Sequence, residues 1–193
     1  MEKVDRRRVP ERRDQILREA QRLFLAHGLE QVTTRQIAGA VGISQPSLYA
    51  HFPTRDEIAV ELCCRAFSEL SQTLAAVDMA SEGHDRIRGL GRAYIEFGLR
   101  YPAAYRVAFM LNLSGHTDED GKRALQAGIG AFKILREAYR SFEHDDDRAE
   151  LAAQSGWSRL HGLVALLLAR PEFPFVEHNR LVAQATEPVV LLD

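Results

Sequence analysis

Residues 43–55 read ISQPSLYAHFPTR. Within this short stretch Gln45, Ser47, Tyr49 and His51 carry an amide, a hydroxyl, a phenol and an imidazole, and Arg55 adds a guanidinium. Such groups make hydrogen bonds, and they suit a polynucleotide. A glutamine amide can pair with adenine through two hydrogen bonds, and serine is a permissive partner of bases or phosphates. Tyr49, His51 and Arg55 suit the phosphates that flank a groove. Upstream, Arg6, Arg7, Arg8, Arg12 and Arg13 crowd the N-terminus. An arm of this kind stays solvated or finds an anion, often a phosphate, and it can follow a nucleic-acid backbone or enter a minor groove.

These groups need elements to position them. Ile16, Ala20, Leu23, Phe24 and His27 recur at helical spacing, and Gly28 stands where a helix would end. Thr33 and Gln36 have capping-box spacing and open a helix through Val41. Gly42 supplies a turn, Ser44 caps the next helix, and Pro46 is tolerated in its first turn. That helix stops near Phe52, and Thr54 with Glu57 opens a long helix to about Val77. Two short helices across a glycine turn, at about residues 34–53, form the outline of a helix-turn-helix. Ile37, Val41, Ile43 and Leu48 can meet the Ile16–Phe24 face, with Ala38 small enough for a close crossing. That leaves Gln45, Ser47, Tyr49, Ala50 and His51 without a core to enter. From the residues alone, a solvated three-helix surface remains open beside DNA binding, because many helical proteins contain this outline.

The stretch ILREAQRLFLAHGLEQVTTRQIAGAVGISQPSLYAHFPTRDEI resembles the N-terminal DNA-binding domain of the tetracycline-repressor (TetR) family nearly end to end. The likeness includes the LF…HG end of the first helix, TT…IA…GIS, and LY.HF with a polar capping turn. It implies a one-component transcriptional regulator, usually a repressor, acting on an operator in double-stranded DNA. By position, Thr34 and Arg35 would meet backbone. Gln45, Ser47 and Ala50 would face bases, with Ser44 at the start of the reading helix. Tyr49, His51 and Arg55 would hold phosphates. Arg55 stands where the family more often has lysine, which keeps the charge. More weakly, YPAAYRVAFM (101–110) is similar to the family's proline-containing pocket segment, and SGWSRLHGLVALLL (155–168) to the WHG-type C-terminal domain of one subgroup. The resemblance implies that the second half binds a small effector and dimerises through its last two long helices.

The second half read from its own residues is also helical. DMASEGHD (78–85) is a polar break that divides a DNA-binding domain at 12–72 from a C-terminal domain at 80–193. Apolar-periodic stretches follow at about 84–100, 102–112, 119–142, 148–170 and 175–191. The expected fold is all-α. Leu151, Ser155, Leu160, Val164 and Leu167 on one helix, and Val176, Leu181, Val182, Ala185, Val189 and Leu192 on the next, exceed what a small core needs. Two copies could pair these helices into a four-helix bundle, with Val164 and Val182 on the seam; an ordinary monomeric core is the alternative. Tyr94, Phe97, Tyr105, Phe109, Met110, Phe132, Trp157 and His161, together with Tyr101 and Tyr139, are candidate lining for an effector cavity. An aromatic at helical spacing is more often plain core, and His161 on an apolar face more often a structural histidine.

Composition and missing motifs limit the other classes. The chain has 193 residues, 46% hydrophobic and 27% charged, with a formal net charge of −2. Residues 1–60 carry a slight positive excess and the remainder a negative one. No apolar segment follows the arginines, and the longest apolar run, LVALLLA (163–169), is too short to span a bilayer, so a cytoplasmic location without membrane partners is expected. Cys63 and Cys64 lack zinc spacing and read as small packing residues or a redox pair. His84, His116, His144 and His178 share no metal-ligand spacing. Acids at 118–120 and 145–147 read as solvated turns or caps. There is no glycine-rich phosphate loop, G-x-S-x-G, H-E-x-x-H or C-x-x-C, so neither an enzyme nor a cofactor is expected. A helical interaction module without DNA remains as the second function class.

Overall fold

The computed structural model describes residues 8–77, 83–111, 119–141, 143 and 145–191. Among the described residues there are nine α-helices and no strand. They are α1 (Arg8–His27), α2 (Thr34–Val41), α3 (Gln45–Tyr49), α4 (Arg55–Ala75), α5 (Gly83–Arg100), α6 (Pro102–Met110), α7 (Glu119–Arg140), α8 (Asp146–Ala169) and α9 (His178–Thr186), with a 3-10 turn at Leu29–Gln31. The all-α expectation holds. Arg6, Arg7, His116, Asp118, His144, Leu192 and the Arg8 side chain lie outside the described residues.

Two compact units form. One combines Met1–Ala66 with Ala103–Gln126, the other Phe67–Pro102 with Ala127–Asp193. The first unit is organised by local chemistry. Thr33 Oγ1 accepts from Gln36 N at 3.2 Å while Gln36 Oε1 accepts from Thr33 N at 2.8 Å, so both halves of the capping box are made. Such a cap stabilises a helix by about 1 kcal/mol. At the other end of α2, Gly42 has φ 74 and ψ 35, the left-handed region that glycine enters without steric cost. That lets Ile43 N donate to Ala38 O at 3.0 Å and Gly42 N to Gly39 O at 3.2 Å, closing α2 and redirecting the chain into α3. Ser44 Oγ caps α3 by accepting from Ser47 N at 3.3 Å, and Thr54 Oγ1 caps α4 by accepting from Glu57 N at 3.0 Å. Ile16, Phe24, Ile37, Ala38, Val41, Leu48, Phe52 and Ile58 are buried together as the core of this three-helix head. Ile43 is only half-buried. On α6, Tyr105 is fully buried and its ring lies tilted against that of Phe109, with centroids 4.9 Å apart.

In the second unit α5 packs on both α8 and α9, and α8 on α9. Asp145 caps α8, its carboxylate accepting from Arg148 N at 2.8 Å. The segment after α9 is tied down by side chains. Arg88 grips Glu187 through Nε at 3.2 Å and Nη2 at 2.9 Å, Arg159 donates to the carbonyls of Ala185 and Glu187, and Val189 N donates to the Tyr139 hydroxyl at 3.0 Å.

Three expectations are corrected here. The helix expected over 175–191 spans only His178–Thr186, and Glu187 is extended with ψ 134. Pro188 is the reason, because proline disfavours helical backbone in the residue before it and donates no N–H. Val164, expected on the dimer seam, is fully buried within its own chain. The basic arm is shorter than it reads, because α1 already runs from Arg8, so Arg12 and Arg13 are helical residues. Arg12 donates to Gln15 Oε1 at 2.7 Å and Arg13 to Glu61 Oε1 at 2.8 Å.

Candidate nucleic-acid interface and effector region

The polar surface of the head is built by α2 and α3. Leu48 is fully buried, which fixes the rotation of α3 and turns Gln45, Ser47 and Tyr49 away from the core. Three side chains then bond to one another. Gln45 Nε2 lies 2.9 Å from Thr34 Oγ1 and 3.1 Å from Tyr49 OH, and the two hydroxyls are 3.2 Å apart. Tyr49 is 45% exposed, so this cluster sits at the surface. Hydrogen bonds from Thr34 and then Gln45 hold the Tyr49 phenol below its ordinary pKa. Arg35, Ser44, Ser47 and Ala50 are exposed, and His51 is half-buried.

Arg55 is placed differently from the others. Its Nη1 donates to the carbonyls of Leu29 at 3.1 Å, Glu30 at 3.4 Å and Val32 at 3.4 Å, and its Nε to Asp56 at 2.9 Å. These bonds staple the 3-10 turn between α1 and α2 to the start of α4. They occupy donors that the family pattern assigns to phosphate.

Sequence reading missed one feature of the head. Glu61 on α4 gathers Arg13 at 2.8 Å, Arg65 at 3.0 Å and Arg123 at 3.9 Å, while Arg65 also reaches Asp14 at 2.7 Å. Arg13 is the largest cause holding the Glu61 carboxyl below its usual range, opposed by burial. Spacing shows only the Glu61–Arg65 pair, four residues apart on α4; no local pattern announces that Arg13, Asp14 and Arg123 join it.

The eight candidate lining residues divide between the two units. Tyr94, Phe132, Trp157 and His161 come together in the second. Trp157 Nε1 donates to Tyr94 OH at 3.2 Å, Tyr94 OH is 3.3 Å from His161 Nδ1, and Phe132 lies 5.9 Å from Trp157. Burial lowers the pKa of His161. Phe97, nearly fully buried, faces Tyr101 at 5.7 Å. Together with Thr73, Ala76, Val77, Ala93, Glu96 and Arg100, these two line an open groove of about 230 Å³. Tyr105, Phe109 and Met110 belong to the first unit, with Met110 exposed. Cys63 is buried, its thiol pushed up to about 12 mainly by that burial, and Cys64 is half-buried. Among the described residues no group of His, Cys, Asp and Glu could hold a metal ion, and no helix is long and apolar enough to cross a membrane.

A capped α2, a left-handed glycine turn and a short α3 with an outward polar face define a helix-turn-helix protein. Residues 16–62 match the family described as bacterial regulatory proteins, tetR family, and residues 87–187 match the tetracyclin repressor-like C-terminal domain. The chain belongs to the TetR family of bacterial regulatory proteins. It is 30% identical to the nucleoid occlusion factor SlmA of Haemophilus influenzae (strain PittGG) over 132 residues, covering 67% of this chain and 58% of SlmA. It is 33% identical to the HTH-type transcriptional regulator TcmR of Streptomyces glaucescens over 89 residues, covering 46% of this chain and 38% of TcmR. The chain thus spans little more than half of SlmA and less of TcmR. The fold matches that of AibR, solved in complex with isovaleryl coenzyme A and operator DNA, with a TM-score of 0.74 at 17% identity, over 91% of this chain and 96% of that one.

Proposed function

We propose that the chain is a ligand-responsive transcriptional regulator, a repressor that binds a near-palindromic operator as a homodimer in the cytoplasm. The observation that carries this reading is the bonded cluster of Thr34, Gln45 and Tyr49 on the exposed face of the helix-turn-helix. Polar side chains ordered against one another at a surface suit a duplex groove. Arg35, Ser44 and Ser47 beside them suit backbone contacts, and His51 a phosphate at the rim. The operator complex of AibR and the regulator TcmR support the same reading.

The second half serves as effector and dimer module. Tyr94, Trp157 and His161 offer a few convergent polar groups among aromatic neighbours, as small-molecule sites do. On α8, Leu151, Ser155, Ser158, Gly162, Leu166 and Ala169 recur at spacings of three and four and are exposed or half-buried. Such a strip of small and apolar side chains lets a second helix approach closely. Arg55 serves the head as a staple that holds the reading helices in place.

The test is a gel shift of the full chain on duplex from its own promoter region, beside Gln45→Ala. The variant is expected to lose roughly 1–3 kcal/mol of binding to its best site. A chain that shifts no duplex better than random sequence, with or without small molecules from its own cells, would sink the regulator reading in favour of a helical interaction module.

A further inference from the structure

The Gln45 amide is held from two sides. Thr34 opens α2, Gln45 opens α3, and Tyr49 closes α3 one turn later, so two other positions along the head converge on the Gln45 side chain. A glutamine amide has two hydrogens to donate on Nε2 and two lone pairs on Oε1. Nε2 has two acceptors inside the protein, Thr34 Oγ1 at 2.9 Å and Tyr49 OH at 3.1 Å. What is left for a ligand is Oε1, which can only accept.

This separates two ways of reading a base. A swivelling glutamine meets adenine with both ends, donating to N7 and accepting from the N6 amino group. A glutamine with Nε2 already engaged cannot donate to N7 without giving up a bond to Thr34 or Tyr49. In the major groove it can accept from an exocyclic amino group, N6 of adenine or N4 of cytosine, while guanine and thymine present acceptors that repel it. We propose that Gln45 reads one base as a hydrogen-bond acceptor alone, with Thr34 and Tyr49 as positioning residues that fix the direction of its amide. This rests on the head being a DNA reader.

The arrangement also links the two kinds of contact. With Thr34 as the donor of the hydroxyl pair, the Tyr49 oxygen accepts from both Thr34 and Gln45, and its own proton points elsewhere. The bonds that lower its pKa make that proton a stronger donor toward a phosphate oxygen. One hydroxyl would then aim the base-reading amide and clamp the backbone.

The experiment begins by selecting duplexes from a random pool with the full chain and with Gln45→Ala. The base pair whose preference flattens in the variant is the one Gln45 reads, and its adenine N6 or cytosine N4 amino group is the donor to remove. The parent chain is then titrated on duplexes altered at that base alone. Deleting the exocyclic amino group, as purine for adenine or 2-pyrimidinone for cytosine, should weaken binding by a few-fold to about tenfold, the size of one hydrogen bond. Where the base is adenine, 7-deazaadenine, which lacks N7, should bind as the unmodified duplex does. Tyr49→Phe and Thr34→Val should flatten preference at this same position and leave the others sharp. Unchanged affinity after the amino group is deleted, an equal loss with 7-deazaadenine, or no flattened position in Gln45→Ala overturns the acceptor assignment. Variants that weaken every position alike reduce Thr34 and Tyr49 to backbone contacts and overturn their positioning role. A parent that selects no sequence at all removes the DNA reading and this inference with it.

Discussion

The guanidinium of Arg13 lies 4.4 Å from the centre of the Phe52 ring. The same side chain bonds Glu61, so one arginine on α1 touches the residue just beyond the reading helix and the helix that follows. A cation over an aromatic face contributes about 0.5–2 kcal/mol depending on exposure. Removing it also costs Glu61, whose side chain is only 18% exposed, its shortest ion pair. Arg13→Ala should therefore destabilise the head by roughly 1–3 kcal/mol. Operator affinity should fall because α3 is less firmly placed. The slope of log affinity against log salt should stay the same, since no phosphate contact is lost. A slope shallower by about one unit would instead make Arg13 a phosphate ligand.

Gly156 illustrates close packing in the second unit. A Cβ there would sit 2.8 Å from the Tyr139 hydroxyl oxygen, which accepts from Val189 N. Gly156→Ala should push the phenol away and loosen the extended segment after α9. The expected cost is roughly 1–3 kcal/mol of overpacking, larger than the gain of up to about 1 kcal/mol from helix propensity. Gly130→Ala is the control, because nothing lies within 4 Å of its added carbon. Urea midpoints should move in opposite directions for the two variants, and a shared direction would contradict the packing argument.

How much of this was legible depended on the range of the interaction. The Thr33–Gln36 box, the Gly42 turn and the Ser44 cap join residues within a few positions, so spacing reveals them. The Arg13–Glu61 pair and the Gln45–Thr34 bond span longer separations, and no local pattern carries them. The end of α9 was misread for a different reason: Leu181, Val182, Ala185 and Val189 keep helical spacing across Pro188, and the periodicity masks the break. The sequence suggests Val164 for the seam because α8 is apolar nearly all round from Leu160 to Ala169. When every face is apolar, periodicity cannot say which one meets the chain's own core and which one is left for a partner.

His161 gives the second unit a pH dependence with a definite sign. Its burial lowers the folded-state pKa below that of the unfolded chain, about 6.5. Between the two values the unfolded chain holds the extra proton, so stability rises with pH there. The contribution is complete above about pH 6.5 and shrinks as the pH falls through the lower, folded value. His161→Gln cannot titrate. Denaturation at pH 7.5 and 5.5 should show a smaller acid-side loss for this variant than for the parent. Equal losses would show that His161 is as easily protonated folded as unfolded.

The apolar surface of α8 yields the sharpest test of assembly. Leu166 is 54% exposed on this helix, whereas Val164 two residues earlier is fully buried. Nearby, Phe173 and Val176 are also exposed, and Leu181 and Val182 on α9 are half-buried. One head reads only a few base pairs, so tight and selective binding requires two. Leu166→Asp puts the carboxylate in water if the chain is a monomer, and the fold survives with little change. In a symmetric dimer closed over α8 the same change buries an unpaired carboxylate twice, which costs on the order of several kcal/mol of association. The variant should then sediment as a folded monomer and lose operator affinity, although no DNA-facing residue was altered. Val164→Asp serves as the contrast, since a charge in the chain's own core should abolish cooperative melting. A parent that sediments as a monomer at micromolar concentration while binding a palindrome tightly would rule out this seam. A Leu166→Asp chain that stays dimeric would place the interface elsewhere on the molecule.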